Sequence, residues 1–95
     1  MIYLVERYVP GMAPGELERA LERLKETTYE LQSEGGEILY LGSTIVPKDE
    51  ACFCQFEGPS EELVAEANRR AGIEFHRIVP AVAVSASAEQ EGERR

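Results

Sequence analysis

Residues 37–57 read EILYLGSTIVPKDEACFCQFE, and whether they make one hairpin decides the fold. Apolar, β-branched and aromatic residues dominate 37–46 and 51–57, and PKDE at 47–50 is a connection of the length hairpins favour. The two runs are therefore predicted to pair antiparallel. Side chains alternate along a strand, so Cys52, Cys54 and Phe56 share one face while Phe53, Gln55 and Glu57 share the other. The all-apolar set belongs in the core. On the first arm the same reasoning sends Leu39, Leu41 and Ile45 inward and leaves Tyr40 and Thr44 on the open face with Phe53, Gln55 and Glu57.

The paired cysteines admit several readings. Free cysteine packs as a small buried hydrophobe, and that reading, with both thiols as inert filler, is the expectation. A disulfide is disfavoured because residues i and i+2 of a strand hold their Cα atoms about 6.5 to 7 Å apart, at the outer limit for a bridge. As a metal site C-x-C offers two soft ligands, where zinc sites need two such knuckles or added histidines.

Outward from the hairpin, IYLVERY at 2–8 reads as a strand, stopped by the prolines and glycines of VPGMAPG at 9–15. From Glu16 to about Ser33, Leu17, Ala20, Leu21, Leu24, Thr28 and Leu31 recur at helical spacing, with Pro14 to open the helix and Gly35-Gly36 to end it. Beyond the hairpin, Ser60 reads as the N-cap of a second helix, with Glu61 and Glu62 at its positive end. That helix runs to Ala71, presents Leu63, Val64, Ala67 and Ala71 inward and stops at Gly72. RIVPAVAV at 77–84 is a last strand, placed at a sheet edge by Pro80, which cannot donate to the ladder.

The order βαββαβ is the split-βαβ, ferredoxin-like α+β plan: a four-stranded antiparallel sheet with two helices on one face. It forms a single domain over 1–84, and the tail at 85–95, with nothing to bury, is expected to be disordered. The second sheet face is left open, and a bare apolar face of this kind pairs with another copy or binds something.

Composition narrows the partners. Ninety-five residues, 43% hydrophobic and 29% charged, suit one small globular domain. Eighteen acidic residues against ten basic ones give a net charge of -8, and no Lys/Arg cluster offsets it locally. Nucleic acid and anionic membrane are poor partners for such a surface. No apolar run approaches the roughly 20 residues that span a bilayer, and Glu6 and Arg7 interrupt any signal-peptide core. The expected address is the cytoplasm, where the cysteines remain thiols.

Candidate chemistry is sparse. Strand 2–8 has two equally plausible inward sets, Ile2, Leu4, Glu6, Tyr8 or Tyr3, Val5, Arg7, Val9, so either Glu6 or Arg7 lies on the open face. A carboxylate there can bind a cation or act as a base, although a cross-strand salt bridge is the commoner use of such a charge. His76, the one histidine, can ligate or transfer a proton. A solvated loop histidine is the commoner outcome, and a single copy makes a poor metal site unless a two-fold dimer brings two together. No phosphate-binding, zinc-protease or serine-hydrolase motif occurs.

The stretches YLVER at 3–7 and LYLGSTIVPKDEACFCQFEGPSEELVAEANRRAGIEFHRIV at 39–79 bring a family into view. The chain resembles, over roughly residues 2–84, a small bacterial family of unknown function that includes a nickel-binding protein and falls in the ferredoxin-like, dimeric α/β-barrel group. The most specific elements are the hairpin from Tyr40 to Glu57 and the helix end carrying Ala67, Asn68, Arg70, Ala71 and Gly72. The resemblance implies a homodimer, a dimeric α/β barrel, and a role with nickel or another divalent metal. It brings no ligand motif that can be carried over residue by residue, and one histidine cannot furnish a histidine-rich site within a subunit. The residues taken forward are Glu6 and His76 as metal donors, with Tyr40 and Gln55 beside them for a small-molecule ligand. Two other readings compete: a cofactor-free monooxygenase or isomerase with His76 as acid/base in a sheet-face pocket, and a structural module whose open face is only an interface. Lack of tryptophan and scarcity of histidine weigh against the enzyme.

Overall fold

The computed structural model describes residues 1–86, and the greater part of the expected tail, 87–95, lies outside them. The elements run β1 (Ile2–Tyr8), α1 (Pro14–Ser33), β2 (Leu39–Val46), a short 3₁₀ turn (Pro47–Asp49), β3 (Ala51–Glu57), α2 (Glu61–Ala71) and β4 (Arg77–Ala81). The strands form one sheet in the order β2-β3-β1-β4, with every neighbouring pair antiparallel. The expected ferredoxin-like βαββαβ plan is thus the plan observed. Among the described residues no helix is long and apolar enough to cross a membrane.

Local chemistry accounts for the element ends. Pro14 occupies the first turn of α1, where a missing N–H leaves no bond unmade. The Ser60 hydroxyl accepts from the Leu63 N–H at 3.3 Å and caps α2, while Gly72, at φ 70°, turns the chain out of it. Strand β4 ends at Ala81 rather than at 84. Ala81 lies opposite Ile2, the first residue of β1, so the edge strand runs out of partner. Val82 and Val84 are left in solvent.

The core lies between the sheet and the two helices. Val5, Cys52, Cys54 and Phe56 point up from the sheet, and Leu24, Ile38, Val64 and Ala67 close over them; all eight are buried. Each buried aliphatic side chain of this size contributes about 1.5 to 3 kcal/mol of transfer free energy. Two polar residues that helical apolar spacing does not flag lie in this core, one bonding across the helices and one within α2. Thr27 Oγ1 donates to the Ala67 carbonyl of α2 at 2.8 Å, and Asn68 Nδ2 donates to the Val64 carbonyl at 2.8 Å. Both are buried.

Strand parity is settled on β1 and corrected on β2. Tyr3, Val5 and Arg7 lie opposite Phe56, Cys54 and Cys52, so this set faces the helices and Glu6 lies on the open face. On β2 the register slips by one residue between Tyr40 and Gly42, leaving Leu41 as a β-bulge. Beyond the bulge the expected alternation holds in register, Thr44 pairing with Phe53 and Ile45 with Cys52, but Ile45, expected in the core, is left exposed. Before it the alternation is inverted. Tyr40 pairs with Phe56, stacks on its ring at 5.1 Å and packs against the core, while Leu39 and Leu41 are about half exposed.

Candidate functional site

The open face of the sheet is a partly apolar surface with one ion pair set into it. Leu4 of β1, Phe53 of β3 and Val79 of β4 are half-buried there, joined by the exposed Leu39 of β2. Glu6 sits among them, opposite Phe53 on one side and Arg77 on the other. Its carboxylate accepts a hydrogen bond from Arg77 Nε, an ion pair that leaves the Glu6 side chain only 13% exposed. Glu6 is therefore already partnered, and a cation there has to compete with Arg77.

His76 lies just before β4. Its backbone N–H donates to the Glu6 carbonyl at 2.7 Å, and its imidazole meets the edge of the Tyr8 ring at a centroid distance of 5.6 Å. The ring itself is solvent-facing. Gln55 is exposed, opposite Leu4, on the same side of the sheet as Glu6. Three of the four sequence-derived candidates thus lie on or beside the open face. Tyr40 does not, because the bulge at Leu41 rotates it to the helix side. The four candidates therefore do not share one side of the sheet.

The helix side holds a second constellation that sequence reading assembles only in part. Tyr40 Oη and Ser43 Oγ are hydrogen-bonded, Ser43 Oγ donates to Cys54 Sγ at 2.9 Å, and Cys54 Sγ faces Cys52 Sγ at 3.9 Å. Both cysteines are free and fully buried, as their packing role requires. Beside them lies Arg7, 1% exposed. Its Nη2 donates to Asn68 Oδ1 at 2.6 Å and its Nη1 to the Glu74 carbonyl at 3.2 Å, while Nε has no partner. The signals available in sequence were the inward option for Arg7 and the position of Asn68, four residues after Val64 on the inner stripe of α2.

These contacts act on the titrating groups. The hydrogen bond from Cys52, with Arg7 and Ser43 adding to it, pulls the Cys54 thiol down to about 6 against the opposing effect of burial. Cys52 moves the other way: the same bond and burial raise it. Burial likewise raises the Tyr40 phenol. Tyr40 and Ser43 also border a groove of about 990 Å³ between α1 and β2, whose walls include Leu21, Lys25 and Tyr29.

Neither constellation assembles a metal centre within one chain. Among the described residues no three His, Cys, Asp or Glu side chains come together to hold an ion.

Comparison with known proteins bears on the fold and the family. The model of the family described as "Nickel responsive protein SCO4226-like" matches residues 3–81. Among solved structures, the crystal structure of SCO4226 from Streptomyces coelicolor A3(2) superposes with a TM-score of 0.68. It is 21% identical in sequence, and the match covers 90% of this chain and 100% of that one. At that identity the likeness speaks for the fold. No curated protein matches the sequence.

Proposed function

Because the chain belongs to the SCO4226-like family of nickel responsive proteins, we propose that it acts as a homodimer which binds nickel or another divalent cation through Glu6 and His76. The observation that carries this reading is the open sheet face, where Leu4, Phe53 and Val79 flank a carboxylate that already holds a cation, the guanidinium of Arg77. An apolar patch of this kind is a natural association surface. One chain does not fit a resident ion by itself, since it brings two hard or borderline donors, Glu6 and His76, and no third joins them among the described residues. Two-fold pairing doubles that set, and Arg77 is the group the ion displaces. Oxygen and imidazole donors suit nickel, zinc and manganese alike, so selectivity rests on geometry rather than on donor type. The reading is of a binding protein working in the cytoplasm.

Calorimetric titration of tag-free protein with nickel, zinc and magnesium tests the reading. Heat of binding for nickel is expected, much weakened in a His76→Ala variant and strengthened in Arg77→Ala, which frees the Glu6 carboxylate. Absence of binding for every metal sinks the proposal, and binding untouched by His76→Ala sinks the donor assignment.

A further inference from the structure

The helix-side constellation raises a question of charge that the metal reading leaves aside. Arg7 carries a permanent positive charge into the core, and its two hydrogen-bond acceptors, an amide oxygen and a backbone carbonyl, are both neutral. Among the described residues no carboxylate forms an ion pair with it, and Nε is left without a partner. An unpaired buried guanidinium is strongly unfavourable unless a neighbour supplies negative charge. The ionisable neighbours are the two thiols, Cys52 lying directly opposite Arg7 in the β1–β3 register.

Hydrogen bonding singles out which thiol ionises. Ser43 donates to Cys54, and Tyr40 in turn supports Ser43. A thiolate at Cys54 accepts from Ser43 on one side and from the Cys52 S–H on the other. We propose that Cys54 is a thiolate in the folded protein, charge-paired with Arg7, and that it is a site of oxidation by hydrogen peroxide reaching it from the groove between α1 and β2. The titratable and charged groups that face it are Arg7 from β1, Tyr40 from β2 and Cys52 from its own strand; of these Cys52 and Arg7, with the Ser43 hydroxyl, lower the thiol against the effect of burial. Neither sulfur has exposed surface, so the oxidant has to be small, and Ser43, which borders the groove, is the residue between Cys54 and solvent. The guanidinium repels a metal cation from the same spot.

In the step itself, Cys54 Sγ attacks one peroxide oxygen. The S–O bond forms as the O–O bond breaks, and the electron pair leaves with the second oxygen as hydroxide, which takes a proton from solvent through the groove. Sulfur is oxidised to a sulfenic acid and peroxide is reduced to water. Condensation with Cys52 requires the strand to bend, because an i, i+2 pair sits at the limit of disulfide geometry. The sulfenic acid is therefore the product that accumulates.

The test has two arms, both on the tag-free, reduced, full-length protein. Thiolate absorbance is followed against pH, and folded protein treated with peroxide is freed of the oxidant, unfolded in the presence of dimedone so that the trap reaches the buried sulfur, and mapped by mass spectrometry. A thiolate titrating near pH 6 and an adduct on Cys54 are expected, with Arg7→Met slowing adduct formation by about tenfold or more as the thiolate fraction falls. Should Arg7→Met fail to fold, Ser43→Ala, which removes one donor from the surface side, is expected to shift the titration upward while the fold is retained. Absorbance that appears only in the ordinary thiol range, an adduct confined to Cys52, or no oxygen uptake by folded protein overturns the proposal.

Discussion

Cys54 loses its proton near pH 6 in the folded chain and near the ordinary 9.0 in an unfolded one, so its titration is linked to folding. Between those values the unfolded chain binds the additional proton. Stability from this group therefore rises with pH from about 6 to about 9 and is lost as pH falls back through 6. Cys52, held protonated more firmly than usual, keeps its proton in both states across that window and subtracts stability only above it. Urea midpoints measured from pH 6 to 9 should climb for the natural protein and lose that climb in a Cys52→Ser/Cys54→Ser double variant; parallel profiles for the two would contradict the linkage. The burial of these cysteines was legible from alternation in ACFCQFE alone. Their chemistry was not, because it depends on Arg7 and Ser43, residues 45 and 11 positions from Cys52 and Cys54 respectively along the chain and joined to them only by strand pairing.

Element by element, the helices and three of the four strands follow from capping and periodicity, and β2 shows where such reading stops. Alternation carried through EILYLGSTIV puts Tyr40 on the open face, but the bulge at Leu41 consumes one residue and inverts everything before it. The sign of it in the sequence is Gly42, whose φ of 141° lies where side chains with a Cβ are strained. A Cβ built there meets nothing within 4 Å, so Gly42→Ala tests backbone strain alone. Loss of about 1 to 3 kcal/mol is expected in chemical denaturation, and an unchanged midpoint would mean that the bulge relaxes without glycine. The same irregularity separates Tyr40 from Glu6 and Gln55 and divides what sequence treats as one site into two, on opposite sides of a single sheet.

Taken whole, the molecule has a packed side and an open one. Helices α1 and α2 cover Val5, Cys54 and Phe56, whereas Leu4, Phe53 and Val79 have no helix over them. The partly apolar character of that face follows from element order and parity, which is why an uncovered apolar face could be anticipated from sequence. The position of Glu6 on it could not, since both parities of IYLVERY satisfy the pattern equally well. If two copies close over this face, Phe53→Arg should place a charge next to Arg77 in the interface and leave the chain folded but monomeric. The measurement that bears most directly on the account is native mass spectrometry of tag-free protein with and without nickel, which reads chain count and ion count together. A species of two 10.6 kDa chains that takes up nickel and loses that uptake in His76→Ala is expected; a single metal-free chain at every nickel concentration would contradict a nickel-binding homodimer.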